Sequence, residues 1–566
     1  MKKEKKESKL GKIMKKEINI NINFTIIAII LIAIFCISLT PVTLQNDTFY
    51  TIKIGEYIKN NGIDMLDHFS WHENLSYTYP HWLYDLCTYL VYAISGFNGI
   101  YALTCILSAI LGISIFLVNS KLTKNKAISF IVTVAAMYVL RDYIAARAQL
   151  VTFILFIWEL YFIEKFIENR KIIYGLGLII ISILIANLHC ATWPFFFVLF
   201  LPYIAEYLIA VISDFIIYKK ANKFILKLKI RCASKNNSDS KKAENLKTKL
   251  NELDNKVLKI KIKREKENEN PYKIIIKRRD NVKFLIIIMI ICAFTGLLTP
   301  IGDTPYTYLY KTMQGNTTKN ISEHLPMTII NNKEAMCIVI ILLAILIFTK
   351  TKIRLSDLCM ITGLCYLMLS TRRQLSMLTL IGSVILTRLI IDLIKRYTKN
   401  GVEKVEYAFK NYLVIFALII LMGLASYSCI KPKIDDKYIN ESSYPVAACD
   451  YILENMDLKN LRFYNEYNYG SYMLFRGIPV FIDSRADLYA PEFSGDKEKD
   501  IFSDFINTSG ISKYYEDTFE KYDITHVILY KKSKTNMIIT KSKDKNYKEL
   551  YSDDNFVVYE RLNVNE

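Results

Sequence analysis

The first group in the sequence that could do chemistry is a single carboxylate, Asp47, a few residues after the first long apolar segment. A carboxylate at the boundary between water and lipid is partly desolvated, so it binds a proton more readily and could accept one from a hydroxyl group. The same residue begins a predicted amphipathic helix over residues 47–59 and could instead cap that helix. The residues alone leave both roles open.

Five cationic side chains lie in other short loops between apolar segments. They are Arg141 and Arg147 in RDYIAARAQ, His189 in NLHCATW, and Arg372 and Arg373 in STRRQ. The charge distribution predicts that these loops face outward. Basic residues are usually enriched in loops on the cytoplasmic side, so arginine in an outward loop is unexpected. A phosphate group would explain it, because a guanidinium group binds phosphate oxygens through two parallel hydrogen bonds. Anchoring to anionic lipid headgroups is the alternative.

Further acidic and histidine side chains lie in the first predicted outward loop, residues 41–97, and in the loop 300–333. They are Asp67, His68, His81, Asp303, Glu323 and His324. Of these, Asp303, Glu323 and His324 could bind a divalent cation together with Asp47, although no spacing among them is diagnostic of a metal site. They could equally sit at the level of the lipid headgroups without a chemical role.

A membrane-embedded scaffold must position these groups. The chain has 566 residues, 52% hydrophobic and 22% charged, and a mean hydropathy of +0.21, which excludes a water-soluble monomer and a disordered chain. We predict a mostly α-helical, polytopic bundle of about eleven spans, each long enough to cross about 30 Å of hydrocarbon. The predicted spans are residues 22–40, 98–118, 126–141, 148–165, 172–188, 194–217, 284–299, 334–349, 354–370, 375–394 and 411–429.

The net charge of +19 is confined to two segments. Residues 1–20 carry eight Lys against three Glu, and residues 218–283 carry twenty-two Lys or Arg against eight Asp or Glu. Basic segments beside apolar spans are retained in the cytoplasm, so this pattern predicts topology and not a nucleic-acid surface, although a basic RNA-binding loop is the alternative. We therefore predict a basic cytoplasmic N-terminus (1–21), a transmembrane domain (22–429) and a basic cytoplasmic loop (218–283).

The last 137 residues, 430–566, differ in character and carry nineteen Lys or Arg against twenty-four Asp or Glu. An odd number of spans places them outside the cell. Short strands are predicted at LRFYNEY (461–467), PVFIDSRA (479–486), THVILY (525–530) and NFVVYERL (555–562), with helices at 445–455 and 499–508. The region is therefore predicted to be a small extracytoplasmic α/β domain.

Several segments together resemble the GT-C superfamily, the polytopic glycosyltransferases that use polyprenyl-phosphate sugars. The first loop resembles theirs in NDTFYTIKIGEYI, GIDMLDHFSW and PHWLYDL, and the likeness continues in NLHCATW, LLTPIGDTPYTYLY, ISEHLPM and NEYNYGSYMLFRGIPVFIDSRADLY. The resemblance covers most of the chain apart from the basic loop 218–283. It is typical of a bacterial branch of the superfamily.

The resemblance implies a reaction and a role for one residue. Asp47 matches the first-loop catalytic carboxylate, which deprotonates the acceptor hydroxyl in an inverting single displacement. Many members have two adjacent acids, whereas this chain has Asn46 beside Asp47. Negative charge grows on the leaving phosphate during such a reaction, so fixed cations stabilise the transition state more than the bound donor. The predicted phosphate-binding residues are Arg147, Arg372, Arg373 and His189, with Arg141, His81, Asp67, His68, Glu323 and His324 as further pocket candidates.

We therefore expect transfer of a sugar from a polyprenyl-phosphate donor to a glycan, lipid or protein acceptor of the cell envelope, at the outer face of the cytoplasmic membrane. No nucleic-acid partner is expected. Two other functions stay open at this stage. A transporter or flippase of lipid-linked saccharides would have a similar scaffold, but the sequence shows no internal repeat. A non-catalytic envelope assembly protein would explain the missing second acid at Asn46.

Overall fold

The structure of the chain is a computed structural model, and it describes residues 24–217, 220–235, 240–266, 273–328, 330, 332–494, 496 and 499–562. The predicted cytoplasmic N-terminus, residues 1–21, lies outside these residues. The described chain is mostly helical, with a small sheet near its C-terminal end. The fold class predicted from the sequence is thus confirmed in its helical character and in its C-terminal sheet.

The helices before the basic loop are joined by short turns. They are α1 (Phe24–Leu39), α2 (Asn46–Asn61), α3 (Trp82–Thr123), α4 (Lys126–Leu140), α5 (Ala148–Asn169), α6 (Ile172–Leu188), α7 (Trp193–Val198) and α8 (Leu201–Ile217). The basic loop contains α9 (Lys220–Lys235) and α10 (Ser240–Lys266), which pack against each other.

The helices after the basic loop continue the bundle and then enter the C-terminal region. They are α11 (Val282–Ala293), α12 (Thr304–Gln314), α13 (Thr317–Asn320), α14 (Lys333–Phe348), α15 (Leu355–Ser370), α16 (Leu375–Tyr397), α17 (Gly401–Ala408), α18 (Tyr412–Ile430), α19 (Val446–Asn455), α20 (Tyr467–Phe475), α21 (Pro491–Ser494), α22 (Ile501–Gly510), α23 (Tyr515–Lys521) and α24 (Lys534–Ser542).

Within the residues that the structure describes, each of the eleven predicted apolar spans overlaps a helix, although the lengths differ. Among the described residues, four helical stretches are long and apolar enough to cross a membrane: Trp82–Thr123, Cys190–Phe215, Arg372–Tyr397 and Tyr412–Lys433. Four shorter apolar stretches accompany them. The protein therefore has the helices of a membrane protein, while the number of eleven crossings stays a prediction.

The first loop is held against the start of α3 by a close helix contact. Gly55 of α2 approaches α3 so nearly that a Cβ atom there would lie 2.1 Å from the backbone oxygen of Asp85. Helix α3 then breaks at Gly96, whose φ of +56° is a conformation that glycine adopts at little cost. The break separates the part of α3 that packs on α2 from the long apolar part that follows.

At the opposite end of the bundle, a network of buried ion pairs joins three helices. Arg354 contacts Glu164 at 2.7 Å and Asp357 at 2.6 Å, and Arg388 contacts the same two carboxylates at 3.1 and 2.9 Å. Arg354 also lies in β2 (Ile353–Arg354), which pairs in parallel with β1 (Ile274–Ile275). Because each carboxylate meets two guanidinium groups, the charges that this end buries are compensated.

The C-terminal region, residues 430–562, contains a four-stranded sheet. Its strands are β3 (Phe463–Tyr464), β4 (His526–Tyr530), β5 (Tyr547–Ser552) and β6 (Phe556–Arg561), in the spatial order β3-β4-β6-β5. Strands β3 and β4 are parallel, with Phe463 opposite His526, whereas β4–β6 and β6–β5 are antiparallel. Three of the predicted strands are present, and β5 was not predicted, because its alternating polar residues match an exposed edge strand as well as a loop.

One predicted strand is wrong. The segment PVFIDSRA (479–486) is apolar at its start, and its Val480 and Phe481 are fully buried, yet it forms no strand of the sheet. Val480 makes an isolated bridge to Ser70 of the first loop, and the backbone N–H of Phe481 donates to the Asn465 side chain at 2.8 Å. Burial between two layers therefore produced the apolar pattern without a strand.

The first loop and the C-terminal region share one apolar core. Phe49 of α2 packs edge-to-face on Tyr444 and Tyr472, with ring centroids 5.1 Å apart in both pairs. The indole N–H of Trp71 donates to the backbone oxygen of Phe463 at 2.9 Å. The C-terminal region is therefore fixed to the loop that carries Asp47, and the two form one body above the end of the helix bundle.

Candidate functional site

A cavity of about 990 Å³ lies between the end of the bundle, the first loop, the segment 308–326 and the C-terminal region. Seven of the site residues predicted from the sequence line it. They are Asp47, His81, Arg147, His189, Glu323, His324 and Arg373. Residues far apart in the sequence thus meet in a space large enough for a sugar and a phosphate.

The centre of this cavity is an arginine held between two carboxylates. Asp47 lies in the first turn of α2, Arg147 directly precedes α5, and Glu323 lies in a short helical turn of the loop after α13. The Arg147 guanidinium contacts the Asp47 carboxylate and lies 3.2 Å from Oε1 of Glu323. The side chains of Asp47 and Arg147 are mostly shielded from solvent, whereas that of Glu323 is 47% exposed.

These contacts fix the charges of the group. Burial alone would raise the pKa of Glu323, but the positive charges of Arg147 and Arg373 outweigh it and hold that pKa below its usual value. Burial alone would lower the pKa of Arg147, and the Asp47 and Glu323 carboxylates reverse the effect, so its pKa is raised. Glu323 and Arg147 are therefore both charged at neutral pH.

A second guanidinium group in the cavity is less constrained. Arg373 lies between α15 and α16, and its Nη2 donates to the amide oxygen of Gln149 at 3.3 Å. Within the part of the chain that the structure describes, this guanidinium forms no ion pair with a carboxylate. Its charge is therefore available to an anion that enters the cavity.

Two histidines face each other across the cavity wall. The ring centroids of His81 and His189 are 6.3 Å apart. His189 lies at the end of α6, and its Nδ1 is 2.9 Å from Oγ1 of Thr152. The His81 ring lies between the carboxylate of Asp85, with Nδ1 to Oδ1 at 2.8 Å, and the hydroxyl of Tyr50, 3.2 Å from Nε2.

Four predicted site residues do not line the cavity. Arg141 pairs with Glu334 at 2.9 Å, and Arg372 donates from Nε to the backbone oxygen of Pro326 at 3.4 Å. Both arginines lie at the same end of the bundle as the cavity, but their guanidinium groups are directed to Glu334 and Pro326 and not into it.

Asp67 and His68, the other two candidates that do not line the cavity, form ion pairs outside it. Asp67 has a fully buried side chain that pairs with Arg485 at 2.7 Å, and His68 pairs with Asp64 at 2.6 Å. The Asp67 contact ties the first loop to the C-terminal region, which is a structural function. The pair of His68 and Asp64 is exposed on the surface.

The groups in or beside the cavity that were not predicted from the sequence include Tyr50, Asp85 and Gln149. The first two had a usable signal. Asp85 follows His81 by four residues, which is the spacing at which two side chains meet on a helix. Tyr50 follows Asp47 by three residues on α2, so a helix places both on one face.

A buried carboxylate of the C-terminal region closes one side of the cavity. Asp487 accepts hydrogen bonds from the hydroxyls of Tyr308 at 2.6 Å, Thr317 at 3.0 Å and Thr312 at 3.5 Å. Burial raises the pKa of Asp487, although these hydroxyls oppose the shift. The contacts join the C-terminal region to α12 and α13, the segment that leads to Glu323.

The predicted divalent-cation ligands do not gather at one point. Among the described residues, no group of three or more His, Cys, Asp or Glu side chains could hold a metal ion. Two of the predicted ligands, Asp47 and Glu323, do approach each other, and the guanidinium of Arg147 lies between them. The positive charge between these carboxylates is thus supplied by the chain itself.

Comparison with known proteins identifies a fold. No family model matches the chain, and no curated protein matches it. Among solved structures it is similar to the oligosaccharyltransferase of Archaeoglobus fulgidus in the apo form, with 12% identity, a TM-score of 0.51 and coverage of 91% of this chain and 70% of that one. The chain has an oligosaccharyltransferase-like fold. At this identity the likeness concerns the fold alone, and it agrees with the GT-C resemblance of the sequence.

Proposed function

We propose that this protein is a membrane glycosyltransferase that transfers a sugar from a lipid-linked phosphate donor to a hydroxyl-bearing acceptor. The observation that carries the proposal is the convergence of two guanidinium groups, Arg147 and Arg373, in one large cavity at the end of a bundle of apolar helices. The oligosaccharyltransferase-like fold supports it. A lipid tail would lie along the helices while its phosphate reaches the cavity.

In the proposed reaction, the acceptor oxygen attacks the anomeric carbon of the donor sugar in a single inverting displacement. The bond between that carbon and the phosphate oxygen breaks, and the electron pair leaves on the phosphate. Arg147 and Arg373 are placed to stabilise the growing negative charge, with His189 in the same wall. Fixed cations in a partly desolvated site lower the energy of such a transition state without reorganisation.

Asp47 is the proton acceptor proposed from the sequence and the family resemblance. Its ion pair with Arg147 gives it a second proposed role, which is to hold that guanidinium in the cavity. Asn46, where many GT-C members have an acid, donates from its side chain to the backbone oxygen of Tyr467 at 2.9 Å. The neighbour of Asp47 thus fastens the first loop to the C-terminal region.

The finer parts of the proposal come from the sequence. We propose a polyprenyl-phosphate donor, a glycan, lipid or protein acceptor in the cell envelope, and a cavity that opens at the outer face of the cytoplasmic membrane. The basic segments 1–21 and 218–283 would then be cytoplasmic, and residues 430–566 would lie outside.

Phosphate recognition can be tested with two adjacent arginines. The full-length protein in lipid nanodiscs is titrated with tritiated undecaprenyl phosphate. Losing a charge-assisted hydrogen bond costs about 1.5–3 kcal/mol, so Arg373→Met should weaken binding roughly tenfold or more. Arg372→Met is the matched control, because its guanidinium lies outside the cavity. Equal effects of the two substitutions would contradict the proposed phosphate site.

A non-catalytic assembly protein is the second candidate, because the carboxylates of Asp47 and Glu323 are already paired within the chain. The two functions differ in the fate of the donor. A transferase releases undecaprenyl phosphate from an undecaprenyl-phosphate hexose when cell-envelope extract supplies the acceptor, and Asp47→Asn abolishes the release while insertion and expression are unchanged. A scaffold protein binds the lipid and leaves the sugar bond intact.

A further inference from the structure

We infer that His81, held by Asp85, accepts the proton of the attacking acceptor hydroxyl. The inference deepens the proposed glycosyltransferase function and rests on it. It replaces a carboxylate by an imidazole at the step where the nucleophile is activated. His81 would be the catalytic residue and Asp85 a positioning residue that acts through it.

The contact between the two side chains decides which ring nitrogen of His81 carries the proton. His81 directly precedes α3, and Asp85 lies in its first turn. Nδ1 of His81 is 2.8 Å from Oδ1 and 2.9 Å from Oδ2 of Asp85, whose side chain is fully buried. Both carboxylate oxygens face Nδ1, and the inferred tautomer therefore carries its proton on Nδ1 and its electron pair on Nε2.

Nε2 of His81 faces a tyrosine hydroxyl at the wall of the cavity. The Tyr50 hydroxyl lies 3.2 Å from Nε2, and in the inferred tautomer it is the donor of this hydrogen bond. Both His81 and Tyr50 line the cavity that holds Arg147 and Arg373. A hydroxyl donor therefore already occupies the acceptor position of Nε2. An acceptor hydroxyl that displaces or joins Tyr50 would find the same electron pair.

Asp47, the alternative base, already has a charged partner. The Asp47 carboxylate is in contact with the Arg147 guanidinium, so an acceptor hydroxyl would have to compete with that ion pair for a carboxylate oxygen. Imidazole is also intrinsically a stronger base than a carboxylate, and proton transfer is most efficient when the base is matched to neutral pH. A carboxylate that orients an imidazole and stabilises the imidazolium is a known arrangement for activating hydroxyl nucleophiles.

The step balances in atoms and charge. The acceptor O–H bond breaks and its proton passes to Nε2 of His81, while the acceptor oxygen forms a bond to the anomeric carbon. The bond from that carbon to the phosphate oxygen breaks, and the electron pair leaves on the phosphate, which faces Arg147 and Arg373. The imidazolium formed is paired with Asp85 and afterwards returns its proton to water.

The test compares histidines in the full-length protein in nanodiscs. Release of undecaprenyl phosphate from an undecaprenyl-phosphate hexose is measured with envelope extract as acceptor source. His81→Ala should lower kcat by about 10²–10⁴-fold, with the KM for the donor little changed, and added imidazole should restore part of the rate. Asp85→Asn should lower kcat as well, and its effect should vanish in the His81→Ala background.

His68→Ala is the matched control. His68 is also bonded to an aspartate four residues away in sequence, Asp64, but it lies outside the cavity, so its loss should leave the rate unchanged. Wild-type-like kcat in His81→Ala, or a loss of kcat that imidazole does not restore in any part, would overturn the inference and return the role to Asp47. An inactive wild-type protein that still binds undecaprenyl phosphate would overturn the proposed function and this inference with it.

Discussion

The proposal depends most on the guanidinium of Arg147, and its removal by Arg147→Met gives the sharpest prediction. This side chain contacts Asp47, lies 3.2 Å from Glu323 and faces the cavity. Removing one preorganised charge-stabilising donor typically costs about 2.7–4 kcal/mol of transition-state stabilisation, a loss of roughly 10²–10³ in kcat. Since the charge develops during bond breaking, kcat should fall more than the donor KM rises.

The same substitution should also destabilise the protein, by a smaller amount. Leaving a fully buried charge without its partner costs about 3–5 kcal/mol. Here the side chain of Asp47 is 17% exposed and that of Glu323 is 47% exposed, so water screens the unpaired carboxylates. We expect the free energy of unfolding to fall by roughly 1–2 kcal/mol, a value between those typical of exposed and of buried ion pairs.

A double substitution separates the two effects. Arg147→Met with Asp47→Asn removes a positive and a negative charge together, so part of the lost stability should return, with a coupling energy of about 0.5–3 kcal/mol. Transfer should not return, because the cation that faces the phosphate is still missing. Undecaprenyl phosphate release and thermal unfolding are measured on the same nanodisc samples.

Arg141→Met is the matched control for both measurements. Arg141 also pairs with a carboxylate, Glu334, at the same end of the bundle but outside the cavity. It should change stability slightly and leave turnover near that of the wild type. The reasoning is refuted if Arg147→Met lowers kcat no more than Arg141→Met, or if the double variant turns over donor at the wild-type rate.

Three further predictions concern the cation, the C-terminal region and acid stability. Because Arg147 supplies the positive charge between the two cavity carboxylates, chelation by EDTA should leave donor turnover unchanged, and a loss restored by Mg²⁺ or Mn²⁺ would contradict this. Asp487→Ala should expose the segment 304–320 to limited proteolysis and lower kcat, whereas Asp487→Asn should do so less, because an amide oxygen still accepts one of the three hydroxyls. Burial alone would raise the pKa of Asp67, but Arg485 and the hydrogen bonds from Ser70 together outweigh burial and lower that pKa. The stabilisation is therefore present above the usual value of 3.8 and is lost as the pH falls through the lower folded value. Asp67→Asn should destabilise the protein at pH 7 and flatten the decline of its thermal stability in acid, and an unchanged decline would contradict this prediction.

Much of the fold could be predicted from the sequence because apolar runs report directly on helices in a membrane protein. Each of the eleven runs overlaps a helix among the described residues, and the strands in THVILY and NFVVYERL lie where the alternating pattern placed them. The pattern failed at PVFIDSRA, where Val480 is buried by contact with the first loop and not by a sheet partner. Apolar periodicity reports burial, and it cannot tell which element does the burying.

The site was predictable as a set of residues but not as a set of contacts. The predicted membrane topology placed Asp47 and Arg147 in loops at the same end of the helix bundle. In the structure their side chains meet, although a hundred residues separate them in the sequence. It could not distinguish Arg373 from Arg372, since consecutive side chains in a tight turn point in different directions and only one reaches the cavity.

The relation between His81 and Asp85 shows what a sequence could still have revealed. The spacing in PHWLYD is that of a helical i, i+4 pair, but the same spacing in IDMLDH, Asp64 to His68, gives an exposed surface pair. The two pairs differ in how deeply the aspartate side chain is buried. The Asp85 side chain is fully buried against α2 and leaves its imidazole at the cavity wall, whereas that of Asp64 is 37% exposed. The inferred role of His81 therefore depends on the packing of α2 on α3. A substitution that pushes these helices apart, such as Gly55→Ala with its Cβ 2.1 Å from the Asp85 backbone oxygen, should impair kcat without removing any polar side chain of the site.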